Sequence, residues 1–173
     1  MCGCWKIFET AFNFIFGSRF TTMKKQLEIA TIKANITTFL GCELFWLLSR
    51  NQLEFLLKEL EISSSPSFAA KARYQGVMLP VISLEKHYGL KEIEQKSPLK
   101  YLVVKSVNEK KELEKIIVQT PQTLKIQTLE GISSMQAPAL PQKSENVLGM
   151  YSLAPGKLGI VPDFTRIIHS LQL

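Results

Sequence analysis

The chain has 173 residues and a net charge of +6, with 46% hydrophobic and 21% charged residues, the proportions of a folded globular chain rather than a disordered one. Its lysines are scattered, and the densest group, Lys110, Lys111 and Lys115, alternates with Glu109, Glu112 and Glu114, which describes a solvated surface rather than a phosphate-binding stripe. Asp163 is the sole aspartate and His87 and His169 are the two histidines, so acid–base pairs and carboxylate-rich metal sites are poorly supplied, and no metal or cofactor is expected.

The N-terminal stretch places Trp5, Phe8, Phe12, Ile15 and Phe16 on one face at helical spacing, with Gly17 as a stop. Its apolar run is too short to span a bilayer, and Glu9 and Asn13 interrupt it where a signal peptide would be continuous. Three readings fit: an amphipathic helix docking on the domain, an interfacial membrane or partner helix, or upstream sequence translated ahead of a start at Met23. Residues 1–22 are therefore treated as an extension and 23–173 as a single domain. Cys2 and Cys4 form a C-x-C without further ligands, and with Cys42 they give no disulfide framework, which fits a reducing, cytoplasmic setting.

From Gln26 to Lys33 apolar and polar residues alternate, as in a half-buried strand. Ile36–Leu40 and Leu44–Leu48 read as two further strands about a Gly41-Cys42-Glu43 turn. Asn51 is placed to cap a short helix whose apolar face is Leu53, Phe55, Leu56, Leu57 and Leu60. Ser63–Ser67 reads as a loop, Gly76–Leu84 as a buried strand, and Glu85–Gly89 as a polar segment leading away from it. Pro80 cannot donate a ladder hydrogen bond, which points to an edge or a bulge. Tyr101–Val107 and Leu113–Val118 predict a hairpin, Leu124–Ile126 a short strand, and Ser133–Ser144 an extended loop. Val147–Leu153 and Lys157–Val161 predict a last strand pair, after which Asp163 caps a helix carrying Phe164, Ile167, Ile168 and Leu171. The run Gly156–Phe164 echoes Gly76–Leu84 about 80 residues earlier, so two similar halves are expected.

In order and pattern these residues resemble the CheW-like domain of bacterial chemotaxis coupling proteins, from about Met23 to the C-terminus. Thr38-Phe39-Leu40-Gly41, Phe45, Leu47 and the segment with Glu54 resemble its opening, and Ser65-Pro66-Ser67-Phe68 the loop before its hallmark strand. Gln75-Gly76-Val77-Met78-Leu79-Pro80-Val81-Ile82-Ser83-Leu84 resembles that strand. Tyr101–Val107 with Ile116–Val118 resembles its central hairpin, and Leu148 to Ile168 its closing strands and helix. Gln75 stands where the family commonly has arginine, and Ser83 and Gln119 where it has aspartate. The resemblance implies a mainly β fold of two small five-stranded barrels sharing a core, with short helices including a C-terminal one. It also implies a non-catalytic adaptor that couples a chemoreceptor's cytoplasmic tip to the regulatory domain of a CheA-type histidine kinase, at membrane-associated receptor arrays.

For such an adaptor the candidate partner-binding residues are Glu54, Gln75, Gly76, Val77, Pro80 and Ser83. Two other classes are weighed against it. An enzyme would have to use Cys42 with His87 or His169, and none of these lies in a catalytic motif. A small β-barrel that binds nucleic acid would stack bases on Tyr74 beside Arg73 and on Tyr101 beside Lys100, two pairs that fall short of a platform.

Overall fold

The computed structural model describes residues 28–65, 68–94, 97–128, 133–135 and 140–171. The expectations for residues 1–22, for Cys2 and Cys4, for residues 66 and 67 and for Pro138 lie outside the described residues. In chain order the strands are β1 Glu28–Lys33, β2 Glu43–Ser49, β3 Leu53–Leu57, β4 Ile62–Ser65, β5 Phe68–Tyr74 and β6 Val77–Ile82, followed by helix α1 Leu84–His87. Then come β7 Lys100–Val107, β8 Leu113–Thr120, β9 Leu124–Thr128, β10 Ser133–Met135, β11 Val147–Ala154, β12 Lys157–Pro162 and helix α2 Phe164–Leu171.

These strands make two six-stranded sheets, in the orders β10-β11-β12-β2-β1-β9 and β4-β5-β6-β8-β7-β3. Position by position the two orders are the same. Each sheet holds a three-strand meander, a parallel junction (β12 with β2, β6 with β8), a hairpin and one outer strand. Each meander's last strand is preceded by a turn glycine with positive φ, Gly76 at 83° and Gly156 at 72°, and runs into a helix. Ser83 and Asp163 occupy equivalent N-cap positions there, accepting from the backbone N–H of Lys86 and Arg166 respectively. The repeat seen in the sequence is therefore structural, and its hairpins are exchanged: β1–β2 completes the sheet of β9–β12, and β7–β8 completes the sheet of β3–β6.

The main core lies between the sheets and α2. Alternate residues of one sheet (Ala30, Ile32, Leu44, Trp46, Leu48, Met150, Ile160) meet those of the other (Ile82, Leu102, Val104, Ile116, Val118), with Leu84, Tyr88, Phe164 and Ile167 filling between. The opposite faces carry smaller clusters: Ala72, Tyr74, Leu79, Val81, Tyr101, Val103 and Ile117 on the second sheet, and Ile29, Leu47 and Tyr151 on the first. Each sheet therefore buries apolar residues on both faces over part of its length.

Several expectations are corrected. Each sheet has six strands instead of the expected five, and no backbone ladder closes either into a barrel among the described residues. Ile36–Leu40 is not a strand: the Asn35 N–H goes to Glu85 Oε1 at 2.9 Å, and Leu40 and Gly41, both with positive φ, make a tight turn bridged by Phe39 and Cys42. The segment from Leu53 is strand β3, because Leu53 packs into the main core and Leu57 into the second cluster, a two-sided demand that one helical stripe cannot meet. The cap upstream belongs to Ser49, which with Gln52 boxes a single 3-10 turn at Arg50–Gln52. Within the expected serine loop, Ile62–Ser65 pairs with β5, and within the expected Ser133–Ser144 loop, Ser133–Met135 pairs with β11. The supposedly polar Glu85–Gly89 stretch begins within α1, and both Glu85 and Tyr88 are buried.

Candidate functional site

Strand periodicity selects one end of the second sheet. Leu79 and Val81 of β6, Ile117 of β8 and Val103 of β7 point into the second cluster, so Val77, Leu113 and Val107 share that face at its far end. There the cluster runs out: Val77, Leu113 and Val107 are 59%, 58% and 55% exposed. Val107 and Leu113 are direct cross-strand partners, and the parallel β6–β8 junction brings the start of β6 to the same end. Three branched apolar side chains in water on one face of one sheet make this end the candidate docking feature, since scattered single residues need no such explanation.

Just inside this open end sits a charged cluster. Lys105 and Lys115 face each other across the β7–β8 ladder, an arrangement of like charges that is unfavourable alone. Glu54, the extra residue of a bulge between Leu53 and Phe55 on β3, offsets them and accepts from Lys115 Nζ at 2.7 Å. Tyr74 Oη of β5 also donates to Glu54 Oε1, at 3.3 Å, and Lys115 Nζ lies 5.7 Å from the centre of the Tyr74 ring. The bond from Lys115 holds the Glu54 carboxyl below the ordinary carboxylate value, while burial and Glu54 push the Tyr74 phenol up. β3 and β5 are not neighbours in the sheet, so this contact closes the curled sheet with side chains where no backbone ladder does.

Of the six residues selected from the sequence, Glu54 and Val77 lie at this end, each beside Tyr74. Gln75 and Gly76 form the exposed two-residue turn of the β5–β6 hairpin, both with positive φ. Pro80 lies on the opposite face, paired with Lys71 one residue before β6 begins to pair with β8, so its missing N–H costs that junction nothing. Ser83 is buried: its hydroxyl caps α1 and reaches Glu85 at 3.0 Å and Glu92 at 2.6 Å. Val107, Leu113, Tyr74 and Lys115 were missed. The alternation that puts Val103 and Ile117 inside would have found the first two once the hairpin register was known.

The thiol and histidines weighed for catalysis lie in three separate segments. His87 Nε2 lies 3.1 Å from the Asn146 side-chain nitrogen, Cys42 packs against the main core in the turn before β2, and His169 is exposed on α2. Tyr74 and Tyr101 are both buried, so neither offers a ring face for a base. Among the described residues no group of three or more potential metal ligands forms, and no helix is long and apolar enough to cross a membrane.

No protein-family model matches the sequence, and no curated protein matches it. Among solved structures, the chain is similar to the crystal structure of the scaffolding protein TtCheW from Thermoanaerobacter tengcongensis, with a TM-score of 0.58 at 13% sequence identity. The match covers 79% of this chain and 88% of that one. The fold is mainly β and CheW-like.

Proposed function

We propose that this protein is a non-catalytic scaffold of the chemotaxis or motility type, coupling chemoreceptors to a CheA-type histidine kinase by protein–protein binding. The observation that carries the reading is the exposed apolar end of the second sheet, Val77, Val107 and Leu113, on a fold shared with a scaffolding protein. Recognition works there through a few desolvated apolar anchors around a charged pair whose geometry is already fixed by Glu54, Lys115 and Tyr74. The protein turns over no substrate in this reading, and its role is to hold partners at membrane-associated receptor arrays.

Isothermal titration against a CheA-type kinase regulatory domain tests it. Leu113→Asp is expected to weaken binding at least tenfold, with the melting temperature within a few degrees of the parent, since Leu113 is solvated in the free protein. Because the exposed Gln75 stands where the family commonly has arginine, kinase binding is expected to exceed binding to a chemoreceptor tip. Absence of affinity for both partners would overturn the scaffold role, and full kinase affinity in Leu113→Asp would remove the open end from it.

A further inference from the structure

A bridge needs two surfaces, and the β5–β6 hairpin carries a second on its other side. Cross-strand partners share a face, so the pairs Lys71 with Pro80 and Arg73 with Met78 put all four side chains on the side opposite Tyr74, Val77 and Leu79. Farther along β6 that face belongs to the main core through Ile82. α2 covers it over β7 and β8. Lys71 and Arg73 are exposed, Met78 is 44% exposed and Pro80 is half-buried. Neither cation has a carboxylate partner among the described residues, unlike Lys33, Arg50, Lys86, Lys115 and Arg166.

We propose that this outward face is a docking surface for an acidic amphipathic helix. The proposal rests on the scaffold reading only in that it supplies the second attachment point. The chemistry is set by a row of two cations beside a row of two apolar residues, about 5 Å apart across the ladder and about 7 Å along it. Two carboxylates at i and i+4 of a helix, about 6 Å apart, match the cation row, and an adjoining apolar stripe matches Met78 and Pro80. An added strand is disfavoured because β5 is already paired on both edges, with β4 and β6. An anionic bilayer is disfavoured because basic lipid-binding clusters carry about four to eight cations and this face has two.

The test uses the full chain and a fluorescein-labelled 18-residue helical peptide bearing glutamates at i and i+4 beside a leucine stripe. Fluorescence anisotropy at two salt concentrations is expected to show binding that weakens as salt rises. The double variant Lys71→Glu/Arg73→Glu is expected to bind at least tenfold less tightly, and a glutamine-for-glutamate peptide to lose affinity to the same degree. A lysine-for-glutamate peptide is expected to bind the double variant in preference to the parent, a reversal that a folding defect would not produce. Leu113→Asp, which tests the kinase surface, is expected to leave the peptide affinity unchanged, so this proposal and the scaffold reading fail separately. Equal affinity of the acidic peptide for parent and double variant, or none for the parent, overturns the proposal. Sedimentation with phosphatidylserine vesicles that depends on Lys71 and Arg73, without peptide binding, replaces the helix by a membrane and also overturns it.

Discussion

The Trp46 indole N–H donates to Glu85 Oε1 at 3.0 Å, tying β2 of one sheet to the helix that follows β6 of the other. The same oxygen takes the Asn35 N–H at 2.9 Å, and Oε2 lies 3.0 Å from the Ser83 hydroxyl. The Trp46 ring also stacks on Tyr88, with centroids 5.4 Å apart, and Tyr88 Oη donates to the Asn146 carbonyl at 2.6 Å. A buried carboxylate is costly unless its oxygens are satisfied, and here three donors from three segments meet it.

Glu85→Ala is expected to destabilise the protein by about 3–5 kcal/mol, because the Trp46 and Asn35 donors would be left buried without an acceptor. Glu85→Gln keeps the shared acceptor and turns an amide toward Ser83, so its cost is expected to stay below about 1.5 kcal/mol. Urea melts followed by circular dichroism measure both. Equal losses for the two variants would mean that the network is not what holds this junction.

Burial, with Lys143 nearby, lowers the His87 pKa below its ordinary 6.5. The folded state therefore favours the neutral ring, whose stabilisation is complete above pH 6.5 and is lost as the pH falls through the folded value. Between pH 7.5 and 5.5 stability is expected to decline by no more than about 1.4 kcal/mol per pH unit, the limit for one proton. His87→Gln is expected to flatten that slope. Glu43 and Glu54, whose values are lowered from 4.5, lose their contributions only at more acidic pH, so the two windows separate in a pH series of urea melts. An unchanged slope in His87→Gln would rule out this assignment.

A Cβ at Gly159 of β12 would stand 2.6 Å from Leu47 Cδ1 and 3.0 Å from Leu153 Cδ2, and Leu47 is almost fully buried. Gly159→Ala is expected to cost about 1–3 kcal/mol by overpacking. Adding Leu47→Ala is expected to cost less than the sum of the two single changes, because the new methyl occupies space that the leucine vacates. Strict additivity in thermal melts would show that the first sheet relaxes without strain.

Val81→Asp is expected to abolish folding, since an unpaired carboxylate in the second cluster costs several kcal/mol, comparable to the whole stability of a small domain. Gln75→Ala, in an exposed turn whose positive φ is equally awkward for both residues, is expected to change stability by less than about 0.5 kcal/mol. Circular-dichroism melts distinguish the two, and similar shifts would mean that the buried face has been misassigned.

Strands were legible wherever a run served one sheet face at a time: β7, β8, β11 and β12 stand close to their expected positions. The echo of Gly76–Leu84 in Gly156–Phe164 was also legible, because a glycine-led turn, a buried strand and a capped helix leave a local signature. The segment of β3 fits a helix as well as a strand, because Leu53, Leu56, Leu57 and Leu60 recur at helical spacing, and only pairing with β7 decides between them. The open end was half legible. Glu54 and Val77 are local, but their meeting with Lys115, Leu113 and Val107 depends on a parallel junction between strands that are not consecutive in sequence.

The exchange of hairpins between the sheets also sets the order in which the chain completes itself on the ribosome. β2 pairs with β12 from Glu43 opposite Lys157, more than a hundred residues later, so the edge of the first hairpin has no native neighbour until β12 has been made. At about 5–20 residues per second that wait is roughly 5–20 s. Throughout it Trp46 lacks the closing strand, and the nascent chain offers an open β edge, a template for pairing with other chains. The second sheet is complete once β8 emerges, so its open apolar end is assembled before the sheet to which β1 and β2 belong.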